Sequence, residues 1–146
     1  MDDGECVRVT ITGVDAGNDF ISLTTRGTLM DLGSQWVLQY TETNPDDLSE
    51  MKTLVQCEPE RVTINRAGPF LSTLVFDMRD TFVGDYPTPF GSLQVRVYTS
   101  SLTIQRRGLF GRIQATYQVS LSSTHSPLEE TMPRTLDIRF TPCRPS

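Results

Sequence analysis

The chain has 146 residues and a formal net charge of −5, with 37% hydrophobic and 21% charged residues. This length fits one domain, residues 1–146, which buries enough surface to hold a core without a metal or a disulfide. The acidic balance argues against nucleic acid or an anionic membrane as partner, because both attract concentrated positive charge.

The N-terminal residues and the cysteines predict a cytoplasmic protein. Residues 1–9 begin acidic and lack the apolar core of a secretory signal, and no window approaches the roughly 18 apolar residues of a membrane span. Cys6, Cys57 and Cys143 are odd in number and widely spaced, and His125 alone cannot complete a Cys/His metal set. We therefore predict three reduced thiols, no metal and no cofactor.

Apolar and polar side chains alternate with a period of two through most of the chain. Val7, Val9 and Ile11 share one face of the first such segment, as in a half-buried strand. The pattern predicts strands, in chain order, at residues 6–12, 20–30, 36–42, 51–57, 61–66, 70–76, 93–99, 102–107, 112–122 and 135–141. Helix is limited to at most one turn near residues 45–50.

About ten short strands, bounded by turn residues and joined without long crossovers, predict an all-β antiparallel barrel or sandwich. Closure into a barrel removes the exposed strand edges that otherwise recruit other chains. Residues 79–95, RDTFVGDYPTPFGSLQV, are predicted to connect two strands and are longer than a tight hairpin. Phe82, Tyr86 and Phe90 alternate with polar residues there, so we expect them to cover one barrel mouth as a plug or as a lid over a ligand.

Five short motifs run along nearly the whole chain. They are TTRG (24–27), LQYTE (38–42), VTINRAG (62–68), TPFG (88–91) and GRIQATYQV (111–119). In this order and spacing they resemble the YwiB-like group of uncharacterised bacterial β-barrel proteins, in the calycin (lipocalin-like) superfamily. The resemblance implies a single ten-stranded, antiparallel calycin-like barrel. It implies no catalytic residue, because the group is itself of unknown function.

Arg66 and Arg106 are the leading candidates for a binding site, since each continues the apolar face of a predicted strand. If those faces point inward, each guanidinium needs a carboxylate partner, which the protein or an anionic ligand supplies. The alternative is that each stands at a strand end, with its charge in water and its stem over apolar surface.

Trp36, Tyr40 and Tyr117 also follow apolar faces, whereas Tyr98 alternates away from its face. They are interpreted either as core side chains or as the walls of a ligand site, because a buried tyrosine needs a hydrogen-bond partner.

Other motifs favour structural roles. GLFG, residues 108–111, predicts a hairpin turn that exposes Leu109 and Phe110. His125 is predicted in an exposed loop, and it is also the only imidazole available as a haem ligand. No nucleophile, base and orienting carboxylate can be assembled, so enzyme activity is the third hypothesis after the two that follow.

Two functions stay open. The first is a non-enzymatic binder of a small anionic or amphipathic molecule inside the barrel, with the two arginines as anchors and the aromatic residues as walls. The second is a barrel filled by its own side chains, which acts as a protein-interaction module or homo-oligomer.

Overall fold

The computed structural model describes residues 4–14, 20–43, 48–67, 72–88, 91–123 and 130–143. Within these ranges the chain forms ten strands and no helix. The strands are β1 (Glu5–Val14), β2 (Phe20–Asp31), β3 (Trp36–Thr43), β4 (Glu50–Glu58), β5 (Arg61–Ala67), β6 (Ser72–Asp77), β7 (Phe82–Thr88), β8 (Gly91–Arg107), β9 (Phe110–Ser123) and β10 (Glu130–Pro142).

The strands form one antiparallel sheet in the order β6-β5-β4-β3-β2-β1-β10-β9-β8-β7. The first and last strands pair with each other, so the chain ends meet in the middle of this order. The edge strand β6 contacts β7 and β8, although no ladder joins β6 to β7 in the described residues. The sheet is thus a nearly closed barrel, and the prediction of an all-β barrel of about ten antiparallel strands is confirmed.

The core follows from the alternation of side chains along the strands. Val7 and Val9 of β1 are fully buried, while Arg8 between them is exposed. Ile113, Ile138 and other inward side chains join them in one cluster that fills much of the interior. Each such residue contributes about 1.5–3 kcal/mol on burial, so the period of two is the main source of the barrel's stability.

The assignment of residues 79–95 as a connecting loop is wrong. Residues Phe82–Thr88 form β7, which pairs with β8 from Phe82 opposite Val97 to Thr88 opposite Gly91. Proline is tolerated in an edge strand, because one side of that strand has no ladder to which an N–H must donate. Pro87 therefore lies within β7, although it suggested a loop.

The two strands predicted at residues 93–99 and 102–107 are one strand, β8. Its register with β9 shifts between Thr99 and Ser101, which is a β-bulge. The inserted residue moves the inward face from odd positions such as Val97 to even positions such as Leu102. The strict period of two breaks at the bulge, and for that reason the sequence predicted two strands.

Cys6 and Cys143 form a disulfide, with Cα atoms 5.5 Å apart and a sequence separation of 137. It joins β1 to the residue that follows β10, where the Cys143 N–H also donates to the Cys6 carbonyl oxygen at 3.2 Å. Cys57 is free and buried. The prediction of three reduced thiols is therefore wrong for two of them, because the spacing of cysteines does not reveal which strands are neighbours.

No helix in the described residues has the length and hydropathy of a membrane span. Residues 45–47 of the helical turn predicted near residues 45–50 lie outside the described residues. Leu48 has a positive φ of 61°, and Glu50 already begins β4.

Candidate functional site

Arg66 and Arg106 lie at different levels of the barrel. Arg106 lies over Trp36, whereas Arg66 is opposite Thr53, which is opposite Tyr40. Trp36 and Tyr40 are four residues apart on β3, which is roughly 13 Å at a rise of about 3.3 Å per residue. The structure therefore divides the predicted site residues into two groups.

The charge of Arg106 is matched by groups of the protein. Its guanidinium forms an ion pair with Asp31, donates a hydrogen bond to the Gly108 carbonyl oxygen at 2.7 Å and lies 5.7 Å from the centre of the Trp36 ring. The Gly33 backbone N–H, followed by the Arg106 guanidinium, holds the pKa of Asp31 below its ordinary value. We therefore assign Arg106 and Trp36 to packing at this end of the barrel.

Arg66 shares the inward face of β5 with the buried Val62 and Ile64. Thr53 and Tyr40 hold the matching positions on β4 and β3, so the three side chains form a row. Arg66 is half-buried, and its Nε atom is buried without a hydrogen-bond partner. The buried Thr53 hydroxyl lies beside the Tyr40 hydroxyl and acts to lower its pKa. In the part of the chain that the structure describes, no carboxylate forms an ion pair with Arg66.

A second row lies on β8, β9 and β10, where Thr99, Tyr117 and Arg134 hold matching positions. Thr99 and Tyr117 are buried, and the Thr99 Oγ1 atom has no hydrogen-bond partner. The Arg134 guanidinium lies beside the Tyr117 hydroxyl and acts to lower its pKa. Sequence reasoning missed Arg134, although it is the next position on the face that carries Leu136 and Ile138.

Tyr117 connects the two rows. Its ring centre lies 4.7 Å from that of Phe76 on β6, across the gap between the ends of the sheet. Arg134 and Arg66 both lie close enough to lower the pKa of its hydroxyl, against a larger rise caused by burial. Two guanidinium groups thus act on one buried phenol. We define the arginine–tyrosine cluster as Tyr40, Thr53, Arg66, Thr99, Tyr117 and Arg134.

The two phenols of the cluster are hydrogen-bond donors at neutral pH. Burial raises the pKa of Tyr40 well above its ordinary value, the Glu42 charge adds to that rise, and Arg66 opposes it. Burial likewise raises the pKa of Tyr117. Protonated phenols and guanidinium groups together present mainly donors, which is the chemistry that binds an anion.

Glu42 is a carboxylate at the edge of the cluster. It lies two residues beyond Tyr40 on the same face of β3, opposite Met51 of β4, and it is half-buried. No ion pair joins it to Arg66 in the described ranges. It therefore lowers the positive potential of the cluster without neutralising Arg66 directly.

The three predicted lid residues lie on or just beyond β7. Phe82 is half-buried and packs against the core, beside Gly84, where a Cβ atom would come within 2.8 Å of the Phe82 Cζ atom. The backbone of Tyr86 pairs with Leu93. The side chain of Tyr86 and all of Phe90 lie outside the described residues, so the lid stays a prediction.

An open depression of about 460 Å³ lies at the turn between β8 and β9. It is lined by Gln105, Arg106, Arg107, Phe110, Gly111 and Arg112. Arg112 pairs with Asp137 at 2.8 Å, so two of its three cations already have carboxylate partners. The hairpin turn predicted here is confirmed, with Phe110 exposed, but Leu109 packs against the core rather than facing solvent.

The remaining candidates from the sequence are His125 and a metal site. His125 lies outside the described residues. Among the residues that are described, no three His, Cys, Asp or Glu side chains come together as metal ligands.

Comparison with known proteins gives a family and a fold. A family model described as "Domain of unknown function (DUF1934)" matches residues 7–130. The structure titled "Crystal structure of ywiB protein from Bacillus subtilis" is similar, with a TM-score of 0.79 and 19% sequence identity over 99% of this chain and 96% of that chain. No curated protein matches the chain. The predicted YwiB-like barrel is confirmed, and at this identity the likeness concerns the fold.

Proposed function

The chain belongs to the DUF1934 family of domains of unknown function, and from this premise we propose that it is a non-enzymatic binder of a small anionic or amphipathic molecule. The ligand lies inside the barrel at the arginine–tyrosine cluster. Arg66 is its anchor, and Tyr40 and Tyr117 are its aromatic walls. Arg106 and Trp36, which the sequence suggested as further contacts, are left out because their own partners occupy them.

The observation that supports this proposal most directly is the state of Arg66. Its guanidinium is permanently charged, its Nε atom is buried, and no acceptor among the described residues bonds that atom. Burying a charge without a partner costs several kcal/mol, and partial exposure reduces that cost for Arg66 without removing it. An anionic ligand supplies the missing acceptor.

The apolar half of the ligand follows from the row of side chains next to the cluster. Leu38, Val55 and Ile64 hold matching positions on β3, β4 and β5, and all three are buried. Because the protein already covers these side chains, the apolar body of an amphipathic ligand has to displace part of this packing before it contacts the row and the tyrosine rings.

A binding function agrees better than catalysis with the groups in the cluster. Guanidinium groups and protonated phenols donate hydrogen bonds, and unactivated threonine hydroxyls are weak nucleophiles. The cluster contains neither a thiol nor an imidazole. These groups hold an anion but supply no activated nucleophile.

The proposal is tested by thermal shift with benzoate and phenyl phosphate on three proteins. These are the wild type, Arg66→Gln, and Arg8→Gln as a control of equal charge change on the exposed face of β1. We expect both anions to raise the melting temperature of the wild type and of Arg8→Gln but not of Arg66→Gln. An equal rise in all three proteins would place the anion elsewhere and overturn the proposal.

A second candidate function is an interaction module or homo-oligomer. Val83 on β7 and Tyr98 on β8 are 51% and 55% exposed, and both flank Arg96 on the outer face of the barrel edge. Large exposed apolar side chains beside an edge strand favour a contact with another chain. Light scattering tests self-association, and a monomer at every concentration argues against a homo-oligomer.

We also propose a bacterial cytoplasmic location, on the family resemblance alone. The Cys6–Cys143 disulfide speaks against it, because disulfides persist mainly in oxidising compartments. Alkylation of free thiols in intact cells, followed by mass spectrometry, decides between a reducing and an oxidising compartment. Full alkylation of Cys6 and Cys143 supports the cytoplasm.

A further inference from the structure

The Cys6–Cys143 disulfide lies on the outside of the barrel. Cys6 alternates with the buried Val7 on β1, so its side chain lies on the outer face, where it is exposed. The bond connects it to Cys143, which follows β10 and is half-buried. A thiolate attacks a disulfide only at a sulfur atom that it can reach. The Cys6 sulfur meets this condition from the solvent.

Two arginines share the outer face beside Cys6. Arg8 lies two residues from Cys6 along β1, and Arg26 of β2 lies directly opposite Arg8. With this register, the Cα atoms of both arginines lie within about 8 Å of the Cys6 Cα atom. Both side chains are exposed. Like charges directly opposite each other destabilise a sheet, so this pair lowers the stability of the barrel unless an anion joins it.

No carboxylate in the described ranges forms an ion pair with Arg8 or Arg26. Glu5 is next to Cys6 in the sequence, but it lies opposite the buried Leu29 and so on the other face of β1. Asp31, near the end of β2, pairs with Arg106. The outer face beside the disulfide therefore carries two positive charges without a matching anion among the described residues.

The strand order determines the direction from which a thiol attacks Cys6. β1 lies between β2 and β10, so Cys143 is on one side of Cys6 and Arg26 is on the other. An attacking thiolate approaches a disulfide sulfur in line with the bond that breaks, from the side away from the leaving sulfur. A thiol that attacks the Cys6 Sγ atom therefore approaches over β2, next to Arg26.

We propose that Cys6 is a site of thiol–disulfide exchange with a small anionic thiol of the glutathione type. Arg26 pairs with a carboxylate of the thiol, and Arg8 adds to the positive potential. The thiolate sulfur bonds to the Cys6 Sγ atom, the bond to Cys143 breaks, and Cys143 leaves with the electron pair as a thiolate, which takes a proton from water. Attack of the Cys143 thiolate on Cys6 reverses the step and releases the small thiol. This site is separate from the arginine–tyrosine cluster inside the barrel.

Rates of disulfide opening test the role of Arg26. The wild type, Arg26→Gln and Arg96→Gln are treated with glutathione or with uncharged 2-mercaptoethanol, and alkylation followed by intact mass gives the loss of the disulfide. Arg96, exposed on β8 opposite Ser120, is the control of equal charge change. Arg26→Gln should fold, because it removes a repulsive contact from an exposed position.

We expect Arg26→Gln to open several-fold more slowly with glutathione and to change less with 2-mercaptoethanol, as for the loss of an exposed ion pair. Arg96→Gln should match the wild type with both thiols. If Arg26→Gln slows both thiols by the same factor, or neither, recognition of an anionic thiol at this face is overturned.

Peptide mass mapping after an early acid quench tests the position of attack. We expect glutathione on Cys6 in the wild type, with Cys143 alkylated and the buried Cys57 unmodified. Glutathione on Cys143 would overturn the proposal.

If Cys143 removes the adduct too quickly to be mapped, Cys143→Ser is treated with oxidised glutathione. The Cys6 thiolate then attacks that disulfide, releases one glutathione and keeps the other. We expect the adduct on Cys6 to form several-fold more slowly when Arg26→Gln is added. An equal rate, or no adduct on Cys6, would show that this face is not a site for anionic thiols.

Discussion

The guanidinium carbon of Arg106 lies 5.7 Å from the centre of the Trp36 ring, and the Trp36 ring centre lies 5.3 Å from that of Phe140. Phe140 is almost fully buried, so the stack runs from the core to the barrel end at which β8 turns into β9. This arrangement uses Arg106 as a packing group. It distinguishes Arg106 from Arg66, although both continue apolar strand faces in the sequence.

Arg106→Gln should therefore lower stability and leave anion binding unchanged. Loss of the cation–π contact costs about 0.5–1 kcal/mol, which corresponds to a fall of about 1–4 °C in melting temperature for a chain of this size. Differential scanning fluorimetry measures the fall, and Arg107→Gln, on the exposed neighbour, is the control. Loss of phenyl phosphate binding in Arg106→Gln would show that the assignment to packing is wrong.

Arg66→Met should raise stability and abolish anion binding, the reverse of what we expect for Arg106→Gln. Methionine keeps an unbranched stem against the apolar face but removes a charge that no protein carboxylate matches in the described residues. We expect the free energy of unfolding to rise by about 1 kcal/mol. This gain is at the low end of the range for replacing buried charges, because Arg66 is half-exposed. Anion binding should be lost. Urea denaturation measures the change, and a large destabilisation would indicate that Arg66 is a structural residue.

The sequence predicted the barrel because inward positions such as Val7 and Ile113 repeat with a period of two in every long strand. It placed Arg66 and Tyr40 on inward faces for the same reason. It did not show that they share a row, because the register of one strand against another depends on pairing across the whole sheet. Arg134 escaped notice because the predicted strand began one residue later.

Glu42→Gln should increase the affinity for dianions. The Glu42 charge lies near the cluster, where it raises the pKa of Tyr40, and it repels an incoming anion for the same electrostatic reason. We expect phenyl phosphate to bind several-fold more tightly, with a smaller effect on benzoate. Titration calorimetry measures both, and Glu58→Gln, on an exposed position of β4, is the matched control. An unchanged or weaker affinity in Glu42→Gln would place the anion away from β3.

Reduction of the Cys6–Cys143 disulfide should destabilise the barrel. The bond spans a sequence separation of 137, so it restricts nearly the whole unfolded chain, and losing such a bond typically costs about 2–5 kcal/mol. We expect a dithiol reductant to lower the melting temperature of the wild type. Cys143→Ser should melt at the reduced temperature with or without reductant. Cys57→Ser, which alters the buried free thiol, should keep the response to reductant.

The Asp77 carboxylate at the end of β6 should make stability depend on pH in the acidic range. Asp77 is 3% exposed, accepts a hydrogen bond from the Arg79 N–H at 2.9 Å, and pairs with Arg61 at 3.3 Å. The Arg79 N–H, aided by the Arg79 and Arg61 charges, holds the pKa of Asp77 below its ordinary value. The folded state therefore favours the ionised form. Its contribution to stability is complete above the unfolded pKa of about 3.9 and is lost as the pH falls through the lowered pKa.

We expect Asp77→Asn to be less stable than the wild type at about pH 7 and the two proteins to converge as the pH falls through the lowered pKa of Asp77. Urea midpoints measured across this pH range give the difference in stability between the two proteins. Asp31 and Asp137, whose pKa values are also lowered, contribute equally to both proteins, so their effect cancels. Asp85→Asn, on the exposed face of β7, is the control and should follow the wild type throughout. A difference that stays constant with pH would mean that Asp77 stabilises the turn into β7 by its shape and hydrogen bonds rather than by its charge.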